Sequence, residues 1–429
     1  MFTSSFIDHI CGWVLVKYSG LPMDGKELPL LPKDQPRNRA QKAALAISML
    51  SNIGILCYFK YYDFGIANLN AALAALGFGE ATFHALHIAL PIGISFYTFH
   101  TITYIVDSYR GVIKPTRNLF EFSTYVSLFS QLVAGPIVRF RQIEEDLENL
   151  GSNDRHRWLH RGVSFFIVGM VEKVVIADSL AAFVDPALAR YAELSTIGTW
   201  LAMLGYSFQL YFDFSGYSTM AVGLGYLFGI RIPQNFNSPY KSLDPSDFWQ
   251  RWHISLSSCL RDYLYIPLGG NRHGEWNTYR NLMLTMLIGG LWHGAAWTFV
   301  VWGMYHGLLL VAYRLGARWW NPLPAGVRQI SMFFFVLIGW VFFRATSFGM
   351  AATLLQNMFL PVAGANVADP LLAAAVIAIA AWWGMRGPNA FDMNLEWTWG
   401  RRVALTVAAA ASLAIIAGAR PSPFLYFQF

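Results

Sequence analysis

Charge is scarce in this chain. Only 13% of its 429 residues are Asp, Glu, Lys or Arg, against about 25% in a typical soluble domain. That shortage argues against a water-soluble protein. Cysteine is scarce too: Cys11, Cys57 and Cys259 lie far apart with no CxxC spacing. A disulfide framework or a zinc ribbon is therefore not expected, and the three read as free thiols in or near membrane segments. No GxSxG elbow and no P-loop occurs, so serine-hydrolase and nucleotide-hydrolysing readings lack support. No cleavable leader is evident. Asp8 and His9 come too early, and the apolar stretch 11–16 is too short to span a bilayer. Solenoid repeats and low-complexity tracts are missing. So are paired interrupted segments in two halves, the mark of an inverted-repeat transporter.

What is present is apolar. Hydrophobic residues make up 55% and aromatics 16%, and aromatic rings suit membrane interfaces. Net charge is +6, from 31 Lys+Arg against 25 Asp+Glu. The basic residues sit in short loops between apolar segments, as in KDQPRNR (33–39). This fits topology signals and anionic lipid head groups rather than nucleic acid.

About 20 apolar residues cross the hydrocarbon core as a helix. Candidates are 43–59, then 84–106 with Pro91 and Gly93 inside, then the shorter 119–133. The stretch 162–184 carries Glu172, Lys173 and Asp178, and 197–212 with 218–230 read as a further pair. From 282 to 313 the apolar character is almost unbroken. At 1.5 Å per residue this is roughly 48 Å, against a core of about 30 Å, so two segments or one broken helix are expected. The runs 330–343, 371–383 and 403–417 complete the set. The expectation is an all-α, polytopic protein with roughly ten membrane segments plus shallow or re-entrant helices. Residues 20–39 and 150–161 read as loops, and 1–40 as an N-terminal segment before a membrane domain at 41–429.

A polar block interrupts this pattern at 231–280: RIPQNFNSPYKSLDPSDFWQRWHISLSSCLRDYLYIPLGGNRHGEWNTYR. Ionisable residues among membrane segments are costly and usually serve an interior cavity or pathway. Asp244 suits an N-cap and Pro245 the first helical position, while Pro267 should end the helix. At 100° per residue, Asp247, Arg251, Ser258, Arg261, Asp262 and Tyr265 share one face. Asp247 and Arg251 form a favourable i,i+4 pair. His253 falls on another face, beside Trp249, Leu256 and Leu260. A lateral helix with self-paired charges fits this pattern too, and His253 alone also suits a packed, hydrogen-bonded histidine.

The second feature is LIGGLWHG (287–294), at the glycine-rich weak point of the overlong stretch. His293 lies at membrane depth beside an expected break, which makes it a functional candidate; a helix-packing histidine is the equal alternative. Histidine takes and returns protons near neutral pH. Acyl transfer to a hydroxyl needs such a base, with Arg or Asn donors for the oxyanion. Ser258 and Cys259 read as small packing residues rather than nucleophiles.

These residues resemble the membrane-bound O-acyltransferase (MBOAT) family, most nearly its branch for bacterial alginate O-acetylation. The segments that carry the resemblance are LPIGISFY (90–97), LVAGPIVR (132–139), QLYFDFSGYS (209–218), FWQRWHISL (248–256), LRDYLYIPLGGN (260–271), 278–302 and SPFLYFQF (422–429). The resemblance implies a ring of tilted helices around a central tunnel, with the active-site core at 231–315. It implies His293 as catalytic base and His253 as a second required histidine. Arg251, Arg261, Asp262, Asn271 and Trp292 would line the cavity, with no metal. It also implies acetyl-CoA as a cytoplasmic donor with no bound cofactor, and a polysaccharide acceptor. A periplasmic partner of the SGNH type and an inner-membrane location complete what it implies. Relatives usually carry further hydrophobic sequence before the region matching 2–17, so this chain reads as shortened there. Acetylation of cellulose or peptidoglycan, D-alanylation of teichoic acid, and a non-catalytic conduit are the competing functions.

Overall fold

The computed structural model describes residues 2–25, 27–78, 83–132, 135–150, 155–393 and 395–418, together with Leu425. Among these residues the regular structure is helical, and the only β-pairing is an isolated bridge between Leu194 and Ala365. Among the described residues, four helical stretches are long and apolar enough to cross a membrane: Arg39–Ala75, Trp297–Trp320, Ala325–Arg344 and Trp399–Gly418. The chain is thus a multi-pass helical membrane protein. It divides into two compact units, Met1–Asn153 with Gly229–Ile232, and Asp154–Phe228 with Pro233–Phe429.

In the first unit, α1 (Phe2–Lys17) packs on α2 (Arg39–Leu56). Asn38 starts α2 with a capping box, exchanging hydrogen bonds of 3.0 Å with Gln41 in both directions. A π-turn at Cys57–Tyr61 carries α2 on into α3 (Tyr62–Ala75). The expected span 84–106 is not one helix. Gly93 has φ +76°, and α4 (Ile94–Arg110) starts only after it. Pro91 has no N–H to give a preceding turn, which explains the late start. Two short helices, α5 (Leu119–Ser127) and α6 (Phe129–Leu132), lead to α7 (Phe140–Glu148).

A buried carboxylate ties three of these helices together. Asp8 on α1 accepts hydrogen bonds from Ser48 and, at 2.9 Å to each oxygen, from Asn52 on α2. Thr101 on α4 donates to Asn52 Oδ1 at 2.8 Å. Cys11, Leu15, Leu28, Leu31, Ala44 and Ile105 form an apolar core of the same unit.

In the second unit, α8 (Arg155–Met170) begins inside the expected loop 150–161, and residues 151–154 lie outside the described set. A π-turn (Val171–Ala177) joins it to α9 (Asp178–Ala189). The pair expected at 197–212 and 218–230 is a single helix, α10 (Thr196–Leu227), of 32 residues. Its polar interior positions are not a break, because the π-turn answers them. Lys173 lies 2.6 Å from Asp213 and from Asp178. Ser215 and Thr219 donate to Glu172 at 3.0 and 3.2 Å. Leu425 N–H donates to Asp213 at 3.0 Å; the rest of the motif 422–429 lies outside the described residues.

Then follow α11 (Pro245–Arg251), α12 (Ile254–Leu260), a π-turn (Arg261–Tyr265), α13 (Glu275–His293) and α14 (Trp297–Trp320). The chain closes with α15 (Ala325–Arg344), α16 (Phe348–Phe359), α17 (Pro370–Arg386) and α18 (Trp399–Gly418). The expected break in 282–313 is the gap between α13 and α14. These two helices lie backbone to backbone. A Cβ on Gly290 would collide with the Phe299 carbonyl, and one on Gly303 with the Met286 carbonyl. Small residues permit such close approach in membrane helices.

Candidate active site

Asp244 caps α11 by accepting from Asp247 N–H at 2.9 Å, with Pro245 at the first helical position. Arg251 pairs with Asp247 at 2.6 Å, one turn away. The helix then ends earlier than expected. Asn237 N–H donates to the Arg251 carbonyl at 2.9 Å, and Ile254 N–H donates to the Asn235 carbonyl at 2.8 Å. The irregular strip 235–237 thereby draws away backbone groups that an unbroken helix would use. His253 takes up the turn with φ +44°, a conformation uncommon outside glycine. The proposed single face from Asp247 to Tyr265 is therefore split between α11, α12 and the π-turn. The helical path does end just before Pro267.

His293 is the last residue of α13. Gly294 is extended, with φ −161° and ψ 151°, and a Cβ there would run into the Phe299 ring. The sharp exit puts His293 at a helix C-terminus, among aromatic rings. Its ring centroid lies 5.0 Å from Trp302, 5.2 Å from Phe343 and 5.1 Å from Trp292. Trp292 also meets His253, at 6.2 Å. One indole thus touches both histidines, although 39 residues of sequence lie between them.

His253 is fully buried. Phe214 of α10 packs edge-on against its ring at 4.7 Å, and Phe236 lies at 6.3 Å. Its Nδ1 faces Asn235 Oδ1 at 3.2 Å. Among the described residues its Nε2 meets no hydrogen-bond partner.

Beside this cluster lies a cavity of about 720 Å³, whose walls include Trp249, Gln250, Ile254, Ser257, Arg261 and Arg314. That volume suits a drug-sized ligand. Trp249 links cavity to cluster, since its ring also packs on Trp302 at 5.8 Å and on His306 at 5.2 Å. Arg261 pairs with Asp262 at 2.7 Å, and Arg314 with Glu275 at 2.8 Å.

Of the expected cavity residues, Arg261 is on the cavity wall and Trp292 is between the histidines. Arg251 and Asp262 are held in their ion pairs. Asn271 is exposed in the turn after Pro267 and is not on the cavity wall. The buried asparagine that holds this turn is Asn281 of α13, which donates to the Gly270 carbonyl at 2.9 Å. Sequence reasoning missed Asn235 and His306. His306 follows Trp302 by four residues on α14, and the two rings touch at 4.9 Å. That i,i+4 spacing was the available signal. Asn235 had no periodic signal, because it lies in an irregular strip. Among the described residues no group of three His, Cys, Asp or Glu is placed to hold a metal.

Comparison with known proteins agrees with this architecture. The model of the MBOAT, membrane-bound O-acyltransferase family matches residues 83–352. A protein of Azotobacter vinelandii named "Probable alginate O-acetylase AlgI" is 40% identical, over 92% of this chain and 86% of the relative. Its namesake from Pseudomonas aeruginosa is 46% identical over 75% of this chain and 61% of the relative. A peptidoglycan O-acetyltransferase of Helicobacter pylori is 39% identical over 75% and 65% respectively. The family match covers both histidines and the helices that hold them, and the chain belongs to the membrane-bound O-acyltransferase family and is an O-acyltransferase.

Proposed function

We propose that this enzyme takes an acetyl group from acetyl-CoA at the cytoplasmic face of the inner membrane and passes it on for O-acetylation of an exopolysaccharide such as alginate. The observation that carries the reading is the contact of one indole, Trp292, with both His253 and His293 at the end of α13. A base at membrane depth, walled by aromatic rings, is shielded from competing water.

In this reading His293 is the base and His253 assists it. The base takes the proton as the acceptor hydroxyl oxygen attacks the thioester carbonyl carbon. The oxyanion forms, then collapses with cleavage of the C–S bond. The imidazolium returns its proton to the departing thiolate, so the base ends the cycle neutral. The cavity beside Trp249 would hold the donor, with Arg261 and Arg314 as its cationic groups. Roughly ten membrane segments around a tunnel would join donor and acceptor faces, and an SGNH-type partner would complete transfer outside. The alginate acceptor is favoured by the names of the relatives at 40–46% identity. The peptidoglycan enzyme and the teichoic acid D-alanyltransferase of Bacillus subtilis, 30% identical, keep other acceptors in view.

The test is polymer-linked acetate in a deletion strain complemented with wild type, His293→Ala or His253→Ala, with membrane levels matched by blot. Loss of acetate at normal protein level is the expected result, and the polymer that loses it names the acceptor. Persistence of acetate in His293→Ala would remove the catalytic assignment.

A further inference from the structure

The structure assigns a positioning role to Asn235: it holds His253 as the Nδ1–H tautomer and so presents Nε2 as the proton acceptor. This rests on the reading of His253 as part of the acyl-transfer site, and extends it to a residue outside that site.

The argument starts from the amide. Asn235 is buried, and its side-chain orientation is fixed by a backbone group. Ser255 N–H, which can only donate, points at the Asn235 oxygen at 3.2 Å, and the Ser255 hydroxyl donates to the same oxygen at 2.8 Å. The amide nitrogen in turn donates to Ser218 of α10 at 3.1 Å. Flipping the amide would set an NH2 against the Ser255 N–H. The atom facing His253 Nδ1 at 3.2 Å is therefore an oxygen, which has no proton to give. Ser255 Oγ also lies 3.4 Å from Nδ1, but its hydroxyl is directed at the Asn235 oxygen at the shorter 2.8 Å, so a neutral imidazole meets that oxygen by carrying its own proton on Nδ1. The lone pair then resides on Nε2, the nitrogen with no partner among the described residues. The hydrogen bond made by one ring nitrogen sets the role of the other.

The backbone reinforces the side chain. The Asn235 carbonyl accepts from Ile254 N–H at 2.8 Å, so residue 235 holds the chain immediately after His253 as well as its ring. Phe214 at 4.7 Å and Trp292 at 6.2 Å restrict the ring itself. The other tautomer would place a bare nitrogen against the Asn235 oxygen and leave two acceptors facing each other in a buried site. Ser218, Asn235 and His253 thus form a line of hydrogen bonds from α10 to the histidine.

The experiment uses the full-length protein in detergent micelles, labelled with ring-15N histidine. The His253 signals are identified by their disappearance in His253→Gln. In wild type the expected spectrum is Nδ1 protonated and Nε2 bare. Asn235→Asp keeps an acceptor at the same place and should keep that tautomer; Asn235→Leu removes it and should release the other tautomer. Acetyl transfer from acetyl-CoA should fall roughly 10–100-fold in Asn235→Leu, as when the outer partner of a metal-bound histidine is lost, and return to within a few-fold of wild type in Asn235→Asp. In a His253→Gln background the Leu substitution should cost nothing more. A wild-type spectrum with the proton on Nε2 would overturn the assignment, as would an equal loss from Asn235→Leu in both backgrounds. Should Asn235→Leu fail to fold, the wild-type spectrum and Asn235→Asp still decide. Full activity in His253→Gln would instead overturn the catalytic role of His253, and the spectrum would report the tautomer regardless.

Discussion

Two buried polar clusters in this protein are built to opposite ends. In the first unit, Asp8 is surrounded by Ser48 and Asn52, and Thr101 satisfies the Asn52 oxygen in turn. Every donor in that set points at an acceptor, and the acceptors are consumed. In the second unit, His253 is satisfied on Nδ1 by Asn235, while its Nε2 faces an aromatic enclosure shared with His293. The first cluster fastens helices. In the function proposed above, the second is held on one side and left able to react on the other. A buried polar group that is fully answered stabilises a fold, and one answered on one side only keeps an atom open to a further partner.

The contrast is sharpest under His293→Ala. Acyl transfer should fall by about 10²–10⁴-fold, the usual contribution of a positioned base, while the thermal midpoint of the purified enzyme stays near wild type. A large drop in midpoint would instead make His293 a packing residue. The mirror experiment is Asp8→Ala. It leaves Asn52 and Ser48 without their acceptor and should destabilise the fold by about 1–3 kcal/mol, read as a lowered midpoint. The rate per folded molecule should remain that of wild type, and a selective loss of rate would erase the distinction between the clusters.

A substitution that spares the polar groups tests whether geometry alone sets the second cluster. Trp292→Phe keeps an aromatic ring between the histidines but removes half the indole. Activity should drop several-fold, measured as acetate transferred per folded enzyme, and an unchanged rate would mean that the shared ring is incidental. The smallest effect belongs to the surface. Lys114 lies 2.6 Å from Glu27 and holds its carboxyl below the usual carboxylate range. A depressed acid stabilises the fold above its unfolded pKa and loses that contribution as pH falls through its folded pKa. Both side chains are at least half exposed, so Glu27→Gln should barely move the midpoint at neutral pH. Any difference from wild type should vanish in acid, as a midpoint series against pH would reveal.

Much of this was legible in advance. The Asp244 cap, Pro245, the Asp247–Arg251 pair and the stop before Pro267 are local rules, each decided within four or five residues. The break after His293 was legible because a length of 32 apolar residues exceeds the bilayer. Two of the errors share one cause. Residues 196–227 read as two segments because Asp213, Ser215 and Ser218 look like an interruption, yet Glu172, Lys173 and Asn235 satisfy them from elsewhere in the chain. The helix expected from 245 to 266 breaks at His253 because the strip 235–237 takes its backbone hydrogen bonds.

The sequence by itself determined that the chain enters membranes, where those helix ends lie that local chemistry sets, such as the start at Asp244 and the stop at His293, and which two histidines to watch. Burial and periodicity carry that information along the chain. Only the tertiary structure decided that Trp292 joins the two histidines, that Asn235 orients one of them, and that α13 and α14 touch through Gly290 and Gly303. Those facts depend on hydrogen bonds and close contacts between distant residues, which have no period in sequence and appear only once the helices are packed.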